Sequence, residues 1–92
     1  MGSKLIFIIM KIKNQTTKRI YEIINDDLVK NENGSTITTA QVWKILGTHI
    51  SINSVRDKIQ DLIRDGYFNA QYEFFENNKY YNRKIYPGTI QG

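Results

Sequence analysis

The spacing of apolar residues changes once along this chain, and the change falls at Gly66. Before it, Ile52, Val55, Ile59, Leu62 and Ile63 recur at the three- and four-residue steps of one helical face. After it, Phe68, Ala70, Tyr72 and Phe74 alternate with Asn69, Gln71 and Glu73, as in a strand whose two faces differ. A helix stopped by a glycine and followed at once by a strand fixes how the second half of the chain can fold. Ser51 is a suitable cap for the helix, Gly66 suits a left-handed residue at its end, and Arg64 complements its dipole. Glu76, Asn77, Asn78 and Lys79 read as a turn, because Asn tolerates positive φ. Tyr80 to Tyr86 then returns as a second strand until Pro87 ends it.

The first half divides as cleanly. Thr16 or Thr17 can cap a helix running to about Lys30, with Ile20, Ile23, Ile24 and Leu28 on one side. Asn31 to Ser35 ends it, and Thr36 to Thr38, β-branched around Ile37, predicts a short strand. Thr39 is the expected cap of a second helix over Ala40 to Leu46, with Val42, Ile45 and Leu46 inward and Gly47 as its stop. Trp43 lies beside that apolar face and reads as core or dimer interface. The expected order is helix, short strand, helix, tight turn, helix, hairpin, an α+β arrangement.

At 92 residues the chain makes one domain, and a hydrophobic content of 40% is enough for a core without disulfides or metal. The expected division is an arm over residues 1–15, a domain over 16–87 and a tail over 88–92. With no Cys and a single His, a disulfide framework, a thiolate site and a multi-histidine metal site are excluded, which fits a reducing cytoplasm. Leu5 to Met10 is too short for a secretory core or a membrane span, so Leu5 to Ile12 reads as an extended arm. No nucleophile with a base, ligand cluster, phosphate loop or carboxylate pair is recognisable. The expectation is a binding protein with no catalytic site and no cofactor.

Charge is distributed unevenly. Lys4, Lys11, Lys13, Lys18 and Arg19 stand without an acid before residue 20, whereas Glu22, Asp26, Asp27 and Glu32 face only Lys30 in the next stretch. The net charge is +4, which favours polyanionic partners.

The segments ITTAQVWKILG, residues 37–47, and ISINSVRDKIQDLIRDGYF, residues 50–68, resemble the winged helix-turn-helix superfamily, and the resemblance extends to Pro87. Ser51, Val55, Ile59, Leu62 and Gly66 occupy its capping, core and wing-entry places. The resemblance implies a winged helix-turn-helix fold of three helices, a short strand and a C-terminal two-stranded wing. It also implies sequence-specific binding of double-stranded DNA, with the third helix in the major groove and the wing on the backbone.

With Val55 as the inward reference, the residues expected to read bases are Asn53, Ser54, Arg56, Asp57 and Gln60. Asn53 and Gln60 suit bidentate pairing with adenine, and Arg56 suits guanine. Asp57 and Asp61 repel phosphate, so they orient Arg56 and Lys58, accept from cytosine, or mark a face that reads no DNA. The residues expected at the DNA backbone are Thr38, Thr39, Gln41, Lys44, Lys58, Asn77, Asn78, Lys79, Arg83 and Lys84, with the basic stretch Lys11 to Arg19 as an arm. His49 reads as a solvated loop residue or a phosphate contact.

A homodimer is expected, since one small module seldom binds tightly alone, and no membrane partner is expected. The roles considered are a transcriptional regulator, a replication or excision accessory factor and a partition adaptor of a mobile element. The alternatives are a protein-interaction module in a larger assembly and a single-strand binder. The latter would use Tyr67, Tyr72, Tyr80, Tyr81 and Tyr86, which more simply pair across strands.

Overall fold

A computed structural model describes residues 12–77 and 79–89 and shows an α+β chain of three helices and a two-stranded antiparallel sheet. The helices are α1 (Gln15–Lys30), α2 (Thr39–Leu46) and α3 (Ile52–Arg64), and the strands are β1 (Phe68–Glu76) and β2 (Lys79–Pro87). Residues 1–11 of the expected arm, together with Asn78 and residues 90–92, lie outside the described residues.

Two helix starts differ from expectation, each because the side-chain bonds made select one of several adjacent candidates. Asn14, not Thr16 or Thr17, caps α1: its Oδ1 accepts from the Thr17 amide at 3.0 Å and from the Thr17 hydroxyl at 3.3 Å. Thr38, not Thr39, caps α2. Its Oγ1 accepts from the Gln41 amide at 3.1 Å while Gln41 Oε1 accepts from the Thr38 amide at 2.8 Å, and the residue three beyond Thr39 is Val42, which cannot close such a box. Ser51 caps α3 as expected. At its far end Tyr67 N–H donates to Leu62 and Gly66 N–H to Ile63, with Gly66 at φ 87, a Schellman ending that delivers the chain into β1.

The core is the meeting of these faces. Ile20 and Ile24 of α1, Val42 of α2, Val55 and Ile59 of α3, and Ile85 of β2 are completely buried, with Leu62 and Phe68 nearly so. Each such side chain is worth about 1.5 to 3 kcal/mol of burial. Two residues join that were not expected. Ile12, assigned to the arm, is 5% exposed, and Tyr21 stacks on the Phe68 ring at 5.0 Å with Tyr67 edge-on at 6.2 Å. Ile45 is the converse case: expected inward, it is 55% exposed. Trp43 takes the inward place instead, packing on the core with Nε1 donating to the Ile50 carbonyl at 2.7 Å, which turns the eight-residue helix away from Ile45.

The strand expected at Thr36 to Thr38 is instead a single bridge at Ser35, paired antiparallel with Ile85 through two 2.8 Å backbone bonds. Ser35 is completely buried, its hydroxyl donates to Asp27 Oδ2, and it accepts from the Ile37 amide at 3.2 Å. That local bond consumes the Ile37 N–H, which a longer strand would need for its ladder. Because Ile85 spends both backbone groups on Ser35, its opposite number Ala70 is a non-hydrogen-bonded partner. The β1–β2 register runs without a bulge from Phe68 opposite Pro87 to Glu76 opposite Lys79, leaving Asn77, at φ 52, in the turn.

Gly88 closes the base of the hairpin. Its N–H donates to the Tyr67 carbonyl at 3.1 Å, and a Cβ there would lie 2.0 Å from the Gly66 carbonyl oxygen. Gly88→Ala is expected to destabilise the chain by about 1 to 3 kcal/mol, read as a lower urea midpoint at unchanged slope; an unchanged midpoint would refute this close approach. Burial, followed by the neighbouring Tyr67, raises the Tyr21 phenol above its ordinary value. The folded state thus holds that proton more tightly than the unfolded state does. This contribution to stability is intact below about pH 10 and is lost as pH rises beyond it. Tyr21→Phe is expected to flatten the alkaline fall in thermal midpoint, and an equally steep fall would remove Tyr21 as its source.

Candidate functional site

The polar flank of α3 is set by what the opposite flank buries. With Val55, Ile59 and Leu62 in the core, Asn53, Arg56, Asp57 and Gln60 are all exposed, and Ser54 and Lys58 are half-buried. These exposed side chains project from a 13-residue helix capped at its start by Ser51. Ser54 is less available than expected, since its Oγ accepts from the capping Ser51 hydroxyl at 3.0 Å. Asn53 and Arg56 are brought together: Arg56 Nη1 donates to Asn53 Oδ1 at 2.6 Å. Asp61 and Asp65 both pair with Arg64, at 3.2 and 3.3 Å, so Asp61 serves the end of the helix and does not orient Lys58. Asp57 has no ion-pair partner within 4 Å among the described residues.

At the start of α2 the side chains of Thr38 and Gln41 are committed to their capping box, while Thr39 is half-buried and Lys44 is exposed. His49 is exposed in the turn between α2 and α3, its ring close over Gly47.

The hairpin residues fall into three groups. Asn77 and Lys84 are exposed, the latter opposite Gln71. Lys79 is placed by its backbone pairing with Glu76, and Asn78 lies outside the described residues. Arg83 turns inward: it shares a face with Tyr72 and Ile85, is half-buried, and donates from Nη2 to the Ile37 carbonyl at 3.4 Å. Burial lowers its ordinary pKa, an effect partly opposed by the Tyr72 phenol. Arg83 therefore joins β2 to the segment that leads into α2. Tyr67 is held against Tyr21, and the Tyr86 ring covers Gly34, so both are packed within the fold.

Two open hollows flank the helices. One, of about 210 Å³, adjoins Lys13, Thr17, Asp61 and Tyr67, and the other, of about 240 Å³, adjoins Ile23, Ile37 and Ile45. Each is smaller than the roughly 300 Å³ at which small-molecule sites begin. Among the described residues no cluster of His, Asp and Glu is placed to hold a metal ion, and no helix is long and apolar enough to cross a membrane.

Comparison of the chain with known protein families, characterised proteins and solved structures gives no match. The alignment of exposed polar groups on α3 was legible from its wheel. The inward turn of Arg83 was not recognised, although it follows from counting back two residues from Ile85 along β2.

Arg83→Ala is expected to lower stability by about 1 kcal/mol through the lost carbonyl contact, read as a lower urea midpoint. An unchanged midpoint would show that this contact does not hold β2 to the segment before α2.

Proposed function

We propose that the chain is a winged-helix protein that binds duplex DNA, with α3 entering the major groove and the β1–β2 hairpin lying as a wing along the backbone. The observation that carries this reading is the two-sided character of α3. Its buried residues lock it to α1, α2 and the hairpin base, while Asn53, Arg56, Asp57 and Gln60 face outward together. A helix about 10 to 12 Å across fits the major groove, and these side chains include donors and acceptors that match base edges. The element order supports the same reading, with the Ser35–Ile85 bridge standing where a short strand was expected between the first two helices.

Phosphate contacts on this proposal come from the first turn of α2, Lys44, Lys58, Asn77, Lys79 and Lys84, helped by the basic residues before α1. Two copies reading half-sites one helical turn apart would supply the affinity that one module lacks. The process served belongs to the control of transcription, replication or partition. A second reading, docking to another protein, is favoured by Asp57, without an ion-pair partner among the described residues, and by Val29 and Ile45, 76% and 55% exposed.

Gel shifts on random-sequence duplex over a salt series distinguish the two. With about six phosphate contacts, affinity is expected to fall roughly 1,000-fold between about 50 and 200 mM salt, and Lys79→Ala to reduce the logarithmic slope by about one contact's worth for every sequence alike. Absence of binding at about 50 mM salt would defeat the DNA reading and leave the protein-docking one.

A further inference from the structure

The bond between Asn53 and Arg56 changes what the amino-terminal end of α3 can recognise, if α3 enters a major groove as proposed above. A free asparagine amide offers an acceptor and donors side by side, which suits adenine, whose major-groove edge pairs an amino group with N7. Asn53 is not free in this sense. Arg56 carries donors only, so the group of Asn53 that faces it has to be the oxygen, and the 2.6 Å contact between Nη1 and Oδ1 is that arrangement. The rotation of the amide is thereby set, with its NH₂ group turned away from the guanidinium.

The outward edge of the pair then consists of Asn53 Nδ2 and the remaining N–H groups of Arg56, all of them donors. Asp57, adjacent to Arg56 in sequence but about 100° away around the helix, makes no ion pair with it among the described residues and leaves those donors available. Of the four bases, guanine alone presents two adjacent acceptors, O6 and N7, in the major groove. Cytosine offers a donor there, thymine a single acceptor beside a methyl group, and adenine a donor beside its acceptor.

We infer that Asn53 and Arg56 act as one donor-only clamp that selects a guanine, in place of an adenine contact by Asn53. Arg56 supplies charge and one or two N–H groups, and Asn53 both braces the guanidinium and contributes its own NH₂. Each partner is exposed and outside the core, so recognition depends on a contact that folding does not require.

The test is selection of bound sequences from a pool of randomised duplexes by the full chain at about 50 mM salt, where electrostatic attraction is strong, repeated with Arg56→Ala and Asn53→Asp. Asn53→Asp keeps an oxygen for Arg56 but replaces the outward donor with an acceptor. The wild-type pool is expected to fix a guanine that both variants cease to select, with thermal midpoints close to wild type. In the selected duplex, 7-deazaguanine at that position removes N7 and is expected to weaken wild-type binding about 5- to 150-fold. The same replacement should have no further effect on Arg56→Ala. An Arg56-dependent adenine, insensitivity to 7-deazaguanine, or salt-sensitive binding without any enriched sequence would overturn the clamp and leave duplex binding standing. Failure to retain any duplex would instead overturn the DNA reading, and the clamp with it.

Discussion

The hairpin is anchored to the helices at a buried serine. A two-stranded ribbon is marginal in water by itself, so β1 and β2 need an attachment to the helices beyond the turn that joins them. Ser35 provides it through backbone bonds in both directions to Ile85, while its hydroxyl reaches Asp27 on α1 and accepts from Ile37. One residue thus connects α1, β2 and the entry to α2. Arg83 adds a bond from the same strand to the Ile37 carbonyl, and Gly88 ties the strand's end to Tyr67. Phe68 and Ile85 fill the remaining space beneath. The hairpin base belongs to the helical core.

The same packing separates two roles on α3. Val55, Ile59 and Leu62 are held by α1, α2 and the hairpin base, so the helix's axis and rotation are set by apolar contacts that cannot slip without exposing them. Whatever stands on the outward flank can therefore be aimed without stabilising the fold. Its polar groups are already partly organised among themselves. Arg64 is taken up by Asp61 and Asp65, Ser54 by Ser51, and Asn53 by Arg56, which leaves Asp57 and Gln60 as the groups with the fewest commitments. A flank organised in this way has fewer conformations to lose on meeting a partner, the usual source of specificity at modest cost.

The helices and the hairpin were legible because apolar spacing encodes them directly. Ile20, Ile23 and Ile24, then Val55, Ile59 and Leu62, are buried where the period places them. Legibility stopped where a choice depended on a partner outside the local window. Asn14, Thr16 and Thr17 are all competent caps, and the bonds actually made decide among them. Ser35 reads as a polar loop residue until Asp27, eight positions earlier, and Ile85, fifty later, are brought beside it. In α2 an eight-residue helix has too few turns to define its inward stripe, so the Trp43 bond to Ile50 could displace Ile45 outward. On the site, the α3 residues expected to be accessible are exposed except for the half-buried Ser54 and Lys58, but the pairing of Asn53 with Arg56 is a property of rotamers, which residue identity leaves open.

Electrostatics bears on how such a surface would be used. α3 carries Arg56, Lys58 and Arg64 against Asp57 and Asp61, with Asp65 at its end, and is close to neutral as a whole. Neutrality there means that on the proposed reading the helix contributes selectivity and little of the long-range attraction, which falls off within about 10 Å at 0.1 M salt. The attraction has to come from cations placed off the helix: Lys44, the lysines of β2, and the basic run before α1. The acids of α1, Glu22 and Asp26, are exposed on a helix that carries no expected base contact. Lys18, Arg19 and Lys30 balance Glu22, Asp26 and Asp27, so α1 is as neutral as α3, with its charge split between a basic start and the acids that follow. On the proposed reading, a phosphate backbone meeting α1 is attracted only near Lys18 and Arg19 and is opposed along Glu22 to Asp27.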